Sequence, residues 1–133
     1  MKVFVYGTLK PGEVNYPYYC ADYVSEALEA YTYGKLFHLR YCGYPAMTVG
    51  GEQVKGVLLT FNDDSVLIKL DELEGYNPGG LGADNEYYRQ KIAVYAFSGE
   101  FLANAWGYLM MPEKVKQLGG VVIASGWWTQ QHP

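Results

Sequence analysis

The chain has 133 residues, half of them apolar, and a formal net charge of −4 with no basic run. That length fits a single domain over 1–133 that buries roughly two-thirds of its unfolded surface, which argues against general disorder. The charge argues against nucleic acid or an anionic membrane as partner, and no apolar run is long enough to span a bilayer.

Val3 to Tyr6 is a β-branched and aromatic run, which predicts a buried strand over 2–6. Gly7 ends it, and Pro11-Gly12 marks a turn. Between them, Gly7-Thr8-Leu9 can present successive backbone N–H groups to an anion, as a nest does. An ordinary strand leaving its sheet accounts for the same residues, and the motif's physics alone favours it. Met1 to Tyr6 is too short an apolar start for a signal peptide. Cys20 and Cys42 are therefore expected as free thiols in a reducing cytoplasm, and neither has a nucleophile's His and carboxylate setting.

Segment 13–23 is tyrosine-rich with weak helical character. A strand is expected over 31–39, a turn at Cys42-Gly43-Tyr44-Pro45, and a further strand over 54–61. Of the 14 tyrosines, Tyr6, Tyr31, Tyr33, Tyr95 and Tyr108 fall on strands or strand ends. A buried tyrosine needs a partner for its hydroxyl. A polar-aromatic cavity or a barrel rim meets that need, and so does ordinary strand packing.

Residues 64–74 read as a short amphipathic helix with Asp63 or Asp64 as N-cap. Val66, Leu67, Leu70 and Leu73 form its apolar stripe. Glu74 follows Leu70 by four residues and Leu67 by seven, so it joins that stripe. Asp71 and Glu72 point elsewhere and are expected in solvent. Gly75 stops the helix. Glu74 would then face an apolar interior at the negative end of the helix dipole, and both effects raise a carboxyl pKa. Such a group shuttles protons well near neutral pH. A stripe displaced by one residue would instead put Glu74 on the surface.

Segment 75–86 is rich in turn formers and follows Glu74 directly, so it reads either as a lid or specificity loop or as a plain connection. Strands are expected over 89–97 and 101–110, forming a hairpin across Ser98-Gly99-Glu100. A short helix near 112–118 starts at Pro112, and a last strand covers 121–123. Arg89 is expected in a structural ion pair, His38 as a structural strand residue, and Trp127 and Trp128 as packing or a cap over the barrel. No phosphate loop, zinc spacing or Ser-His-Asp pattern is visible. Strands without regular intervening helices favour α+β over a doubly wound parallel sheet.

The stretches "YGTLKPG" at 6–12 and "LDELEGY" at 70–76 resemble the γ-glutamylcyclotransferase family, including its γ-glutamylamine and AIG2-like branches. "GKLFHLRYCGYPAM" at 34–47, "VKGVLLTF" at 54–61, "YYRQKIAVY" at 87–95 and "AWGYLM" at 105–110 are similar to further family elements in the same order. The resemblance spans nearly the whole chain and implies a small mixed β-barrel flanked by short helices, with the ligand at its mouth. It implies conversion of a γ-glutamyl amine or amino acid to 5-oxoproline and free amine, with Glu74 as general acid and base and no metal or cofactor. Substrate would lie against Tyr6, Gly7, Thr8, Leu9, Tyr87 and Tyr108. A cytoplasmic monomer or weak homodimer is expected, with no partner but the small molecule. The alternative is a non-catalytic carboxylate-binding domain on the same scaffold. Glu74 argues for the enzyme, because a domain that only binds has no need of a disfavoured carboxylate.

Overall fold

The computed structural model describes residues 1–77 and 85–130. Positions 78–84, the centre of the possible lid or specificity loop, lie outside the described residues. Among these residues six strands run in chain order: β1 (Lys2–Val5), β2 (Val24–Leu39), β3 (Tyr44–Phe61), β4 (Tyr88–Ala96), β5 (Phe101–Leu109) and β6 (Gly120–Val122). Among the described residues three short helices join them: α1 (Tyr16–Tyr19), α2 (Val66–Leu73) and α3 (Pro112–Gln117).

Five strands close a barrel in the order β1-β3-β2-β4-β5 and back to β1. β1 lies antiparallel to β3 (Val3 opposite Leu59) and parallel to β5 (Val3 beside Trp106), so the barrel is mixed. Closure leaves few free edges, and β6 covers part of β2 by pairing Phe37 with Val122.

β1 shows why the run Val3 to Tyr6 is apolar throughout. Successive side chains alternate across a strand. Val3 and Val5 pack with Leu59, Val66 and Leu70, toward α2. Phe4 and Tyr6 pack with Leu58, Val94, Leu109 and Trp128 on the other face. A strand buried on both faces needs no polar alternation.

β2 and β3 extend well beyond the spans 31–39 and 54–61, forming a long antiparallel hairpin with irregular register at Gly34/Lys35. The added stretches carry exposed residues, including Glu26, Glu29, Glu52 and Gln53, so no hydrophobic alternation marks them in sequence. The connecting turn is correspondingly displaced to Arg40–Gly43, with Tyr44 and Pro45 already in β3. Gly43 takes a left-handed φ of 80° there. The β4–β5 hairpin turns at the expected place, with Ala96 N–H donating to the Glu100 carbonyl oxygen at 2.8 Å.

The N-cap of α2 is Ser65 rather than Asp63 or Asp64, and Asp63 Oδ1 accepts from the Ser65 N–H at 2.9 Å. The aspartate thus stabilises an Asx-type entry turn one step before the helix. The C-terminal segment returns to the barrel. Trp128 is buried there, and its Nε1–H donates to His38 Nδ1 at 3.0 Å. Among the described residues no helix is long and apolar enough to cross a membrane.

Candidate active site

A cavity opens at one end of the barrel, with about 130 Å³ of water-accessible volume. One water needs only ~10–15 Å³ on this scale, so the space admits a ligand of many atoms. Its wall comes from six parts of the chain: Val5 to Leu9 at and after the end of β1, Asn15 before α1, Tyr44 and Pro45 at the start of β3, Leu73 and Glu74 ending α2, Glu86 and Tyr87 leading into β4, and Tyr108 in β5.

Glu74 is the C-cap residue of α2, its N–H donating to the Leu70 carbonyl oxygen at 2.9 Å. Gly75 follows with φ of 65°, a left-handed turn that ends the helix and aims the chain away. Glu74 is half-buried and lines the cavity, with protein packed densely around its carboxyl. Burial pushes its pKa up to about 8, and the neighbouring charge of Glu86 adds to the rise.

Three tyrosines surround that carboxyl, each held by a partner. Tyr6 O–H donates to the Tyr108 carbonyl oxygen at 2.7 Å and accepts from the Met47 N–H at 3.1 Å. Tyr87 O–H donates to the Pro45 carbonyl oxygen at 2.6 Å. Tyr108 O–H donates to Asp71 Oδ1 at 2.7 Å. Burial first, and Glu74's charge among the further causes, raises the pKa of all three phenols. They stay neutral and present a rigid, weakly polar wall.

Among the described residues, the backbone N–H groups of Gly7, Thr8 and Leu9 have no protein acceptor. They line the same cavity as Glu74. The loop is shaped by its carbonyls instead. Lys10 N–H donates to the Gly7 carbonyl oxygen at 3.1 Å, and Asn15 N–H to the Thr8 carbonyl oxygen at 2.9 Å. Asn15 Nδ2 also donates to Thr8 Oγ1 at 2.9 Å. Lys10 anchors the far side of the loop. It is only 1 % exposed, donates to the Trp128 carbonyl oxygen, and lies 3.8 Å from the centre of the Trp127 ring.

The structure brings together Tyr6, Gly7, Thr8, Leu9, Glu74, Tyr87 and Tyr108, named from sequence, and adds three polar residues, Asn15, Tyr44 and Glu86. Asn15 reads locally as an ordinary turn former, and only its tertiary bond to Thr8 distinguishes it. Glu86 ends the segment 75–86, where a carboxylate has no local pattern to mark it. Its Oε1 accepts from Tyr44 O–H, and its N–H donates to the Gly75 carbonyl oxygen at 3.1 Å.

Asp71 departs from the expectation of solvent. It is 8 % exposed and lies 3.3 Å from Arg89 Nε, giving Arg89 its ion pair. The apolar stripe describes one face of α2, but Asp71, off that stripe, meets Arg89 of β4 and Tyr108 of β5.

Gly7 has a steric role beside any ligand contact. A Cβ built there would stand 2.8 Å from Pro45 Cγ and 3.1 Å from Cδ, in a rigid ring. Gly7→Val should therefore displace the loop as well as crowd the cavity. We expect a loss of roughly 1–3 kcal/mol, as for other overpacked sites, together with weaker binding of small carboxylates. Thermal melts and product titration on the same protein check this, and unchanged values in both would refute it.

The family profile described as "Gamma-glutamyl cyclotransferase, AIG2-like" matches residues 3–130. No curated protein sequence matches significantly. YkqA from Bacillus subtilis is 25 % identical, with a TM-score of 0.66 over 96 % of this chain and 39 % of that one. An Arabidopsis thaliana protein solved in solution is 24 % identical, with a TM-score of 0.66 over 90 % of this chain and 74 % of that one. An AIG2-like protein from Mus musculus is 22 % identical, with a TM-score of 0.65 over 86 % of this chain and 81 % of that one. The chain thus spans well under half of YkqA, and the last two likenesses speak to fold alone. With the profile covering all but the ends, this chain belongs to the AIG2-like γ-glutamyl cyclotransferase family.

Proposed function

We propose that the protein converts a γ-glutamyl compound to 5-oxoproline and a free amine in this cavity. One observation carries the reading: a carboxyl with a pKa near 8 shares a cavity with three backbone N–H groups that have no acceptor among the described residues. The first feature suits proton transfer near neutral pH, and the second suits an anion or a developing oxyanion.

The chemistry is intramolecular. The substrate's α-amine attacks its own γ-carbonyl carbon, so holding the chain in a folded conformation supplies much of the acceleration. The amine arrives as an ammonium. Its positive charge beside Glu74 favours the carboxylate form, which then takes the proton. The amine nitrogen bonds to the γ-carbon, and the carbonyl oxygen becomes an oxyanion facing the N–H groups of Gly7, Thr8 and Leu9. The same loop serves the α-carboxylate. As the intermediate collapses, the bond from the γ-carbon to the leaving nitrogen breaks and Glu74 gives its proton to the leaving amine; the carboxylate so restored takes the second proton that the ring nitrogen still carries, leaving the neutral lactam. Tyr6, Tyr87 and Tyr108 wall the cavity and keep water from competing.

A screen of γ-glutamyl compounds for 5-oxoproline release tests the reading, and silence across amines and amino acids would end it. The pH profile adds a sharper check. Glu74 must start as carboxylate, so kcat/KM should rise with pH and level off above about 8. Glu86→Gln removes the second cause of the shift and should move that limb to lower pH. A limb that belongs to the substrate's amine would not move.

A further inference from the structure

We propose that Glu86 selects the amine half of the substrate by charge, favouring a γ-glutamyl derivative whose leaving amine carries a second, positive group. This deepens the cyclotransferase reading and rests on it.

The argument starts from what the cavity lacks. Among the described residues lining it, none is Lys, Arg or His. Segment 78–84, Pro-Gly-Gly-Leu-Gly-Ala-Asp, contains none in sequence. Lys114 reaches the neighbouring segment, but its Nζ donates to the Asn85 carbonyl oxygen at 2.8 Å, and it does not line the cavity. Negative charge on the ligand is therefore met by neutral donors, and the backbone N–H groups among them are grouped at Gly7 to Leu9, beside the Thr8 hydroxyl and the Asn15 amide. That loop has work for the α-carboxylate and the γ-oxygen, which every candidate substrate carries. A further carboxylate on the leaving half, as in γ-glutamyl amino acids, would find no cation and would meet Glu86 instead.

Glu86 is built to stay in place. Its carboxylate takes the Tyr44 hydroxyl, and its backbone is tied to Gly75. Among the described residues it has no positive partner, so a ligand cation is the complement it lacks. The substrate's own α-ammonium is a poor occupant. It must lose its proton to Glu74, and pairing with Glu86 would hold that proton on. The remaining source of positive charge is the leaving half.

Three probes differ only at the end of the amine chain: γ-glutamyl-diaminobutane ends in an ammonium, γ-glutamyl-pentylamine in a methyl, and γ-glutamyl-aminopentanoate in a carboxylate. Wild type should prefer them in that order in kcat/KM, with steps of roughly tenfold for a charge contact near a protein surface. Glu86→Gln keeps an acceptor for Tyr44 and should compress the order to within about twofold. Tyr44→Phe leaves the charge and should keep the order, which separates charge from loop placement. Ratios within one variant cancel any effect of Glu86 on Glu74.

The same order should appear in calorimetric binding to Glu74→Gln, which holds substrate without turning it over. If no probe yields 5-oxoproline yet the binding order stands, the cyclotransferase reading fails and the charge selection survives. An order absent in wild type overturns the proposal. So does an order unchanged in Glu86→Gln, or an equal loss on all three probes, which would place Glu86 on the shared γ-glutamyl half. Failure of all three to bind overturns both.

Discussion

Glu74→Gln is expected to abolish 5-oxoproline release and, at neutral pH and above, to make the protein more stable. The activity loss follows from the role. A glutamine fills the same space but cannot take a proton from the α-ammonium or return one to the leaving amine. Losing a general acid–base group costs on the order of 10²–10⁴-fold, which puts the variant below detection in an ordinary assay. The stability gain follows from the pKa. In the unfolded chain the carboxyl titrates near 4.5, and in the folded protein near 8. Between those values the folded state binds the proton more tightly, so stability falls as pH rises through the window. Above about pH 8 the penalty is complete, and below about pH 4 it is absent. Glutamine carries no such penalty. After discounting for the cavity-facing surface and the amide's own desolvation, a gain of roughly 1–3 kcal/mol above pH 8 is expected, vanishing in acid. Paired thermal melts across pH 4 to 9 read it directly. A variant that melts lower than wild type at pH 8, or that still turns over, would remove Glu74 from the proposed role.

That combination marks a group kept for its chemistry against the preference of the fold. It also explains why Glu74 was legible in sequence while its surroundings were not. Helical spacing needs only local residues, and Leu67, Leu70 and Glu74 supply it. β1 was legible for the same reason, since a run of apolar residues between Lys2 and Gly7 has one natural reading. The hairpin at Ser98–Glu100 is marked by its glycine.

What escaped the sequence depends on distant partners. Asp71 shares a helix with Glu74, and its burial is set by Arg89 and Tyr108, residues 18 and 37 positions away. Glu86 enters the cavity through its contacts with Tyr44 and Gly75, and Asn15 through the fold of its loop back onto Thr8, and no local pattern announces either. The outer stretches of β2 and β3 were hidden for another reason. Over 25–29 and 49–53 the ladder is backbone to backbone while the side chains face water, so the hydrophobic signal fades though the strands continue.

Asp71 also yields the largest stability effect expected from a single change. Asp71→Ala removes two contacts at once. Arg89 loses its carboxylate while still held between the Tyr76 ring at 5.6 Å and the Trp106 ring at 4.4 Å. Tyr108 loses the acceptor for a hydroxyl that is buried in the cavity wall. Removing one partner of a buried pair costs more than the pair contributes, because the remaining charge stays without compensation. Both side chains keep some exposure, 15 % and 12 %, so a loss of roughly 2–4 kcal/mol is expected rather than more. For a chain of this length that lowers the melting temperature by roughly 10 °C. Tyr108→Phe deletes only the hydroxyl and should cost about 1 kcal/mol. Asp71→Asn keeps an acceptor for Tyr108 and drops the charge, so it should fall between the two. The function should follow the same order. The Tyr108 carbonyl oxygen holds the Tyr6 hydroxyl, so a loosened Tyr108 loosens a second wall of the cavity. Weaker binding of 5-oxoproline should accompany the loss of stability in Asp71→Ala, with less change in Asp71→Asn. A melting temperature within experimental error of wild type would show that the Asp71–Arg89–Tyr108 contacts are incidental, and the rigidity of the cavity would then have to come from the barrel alone.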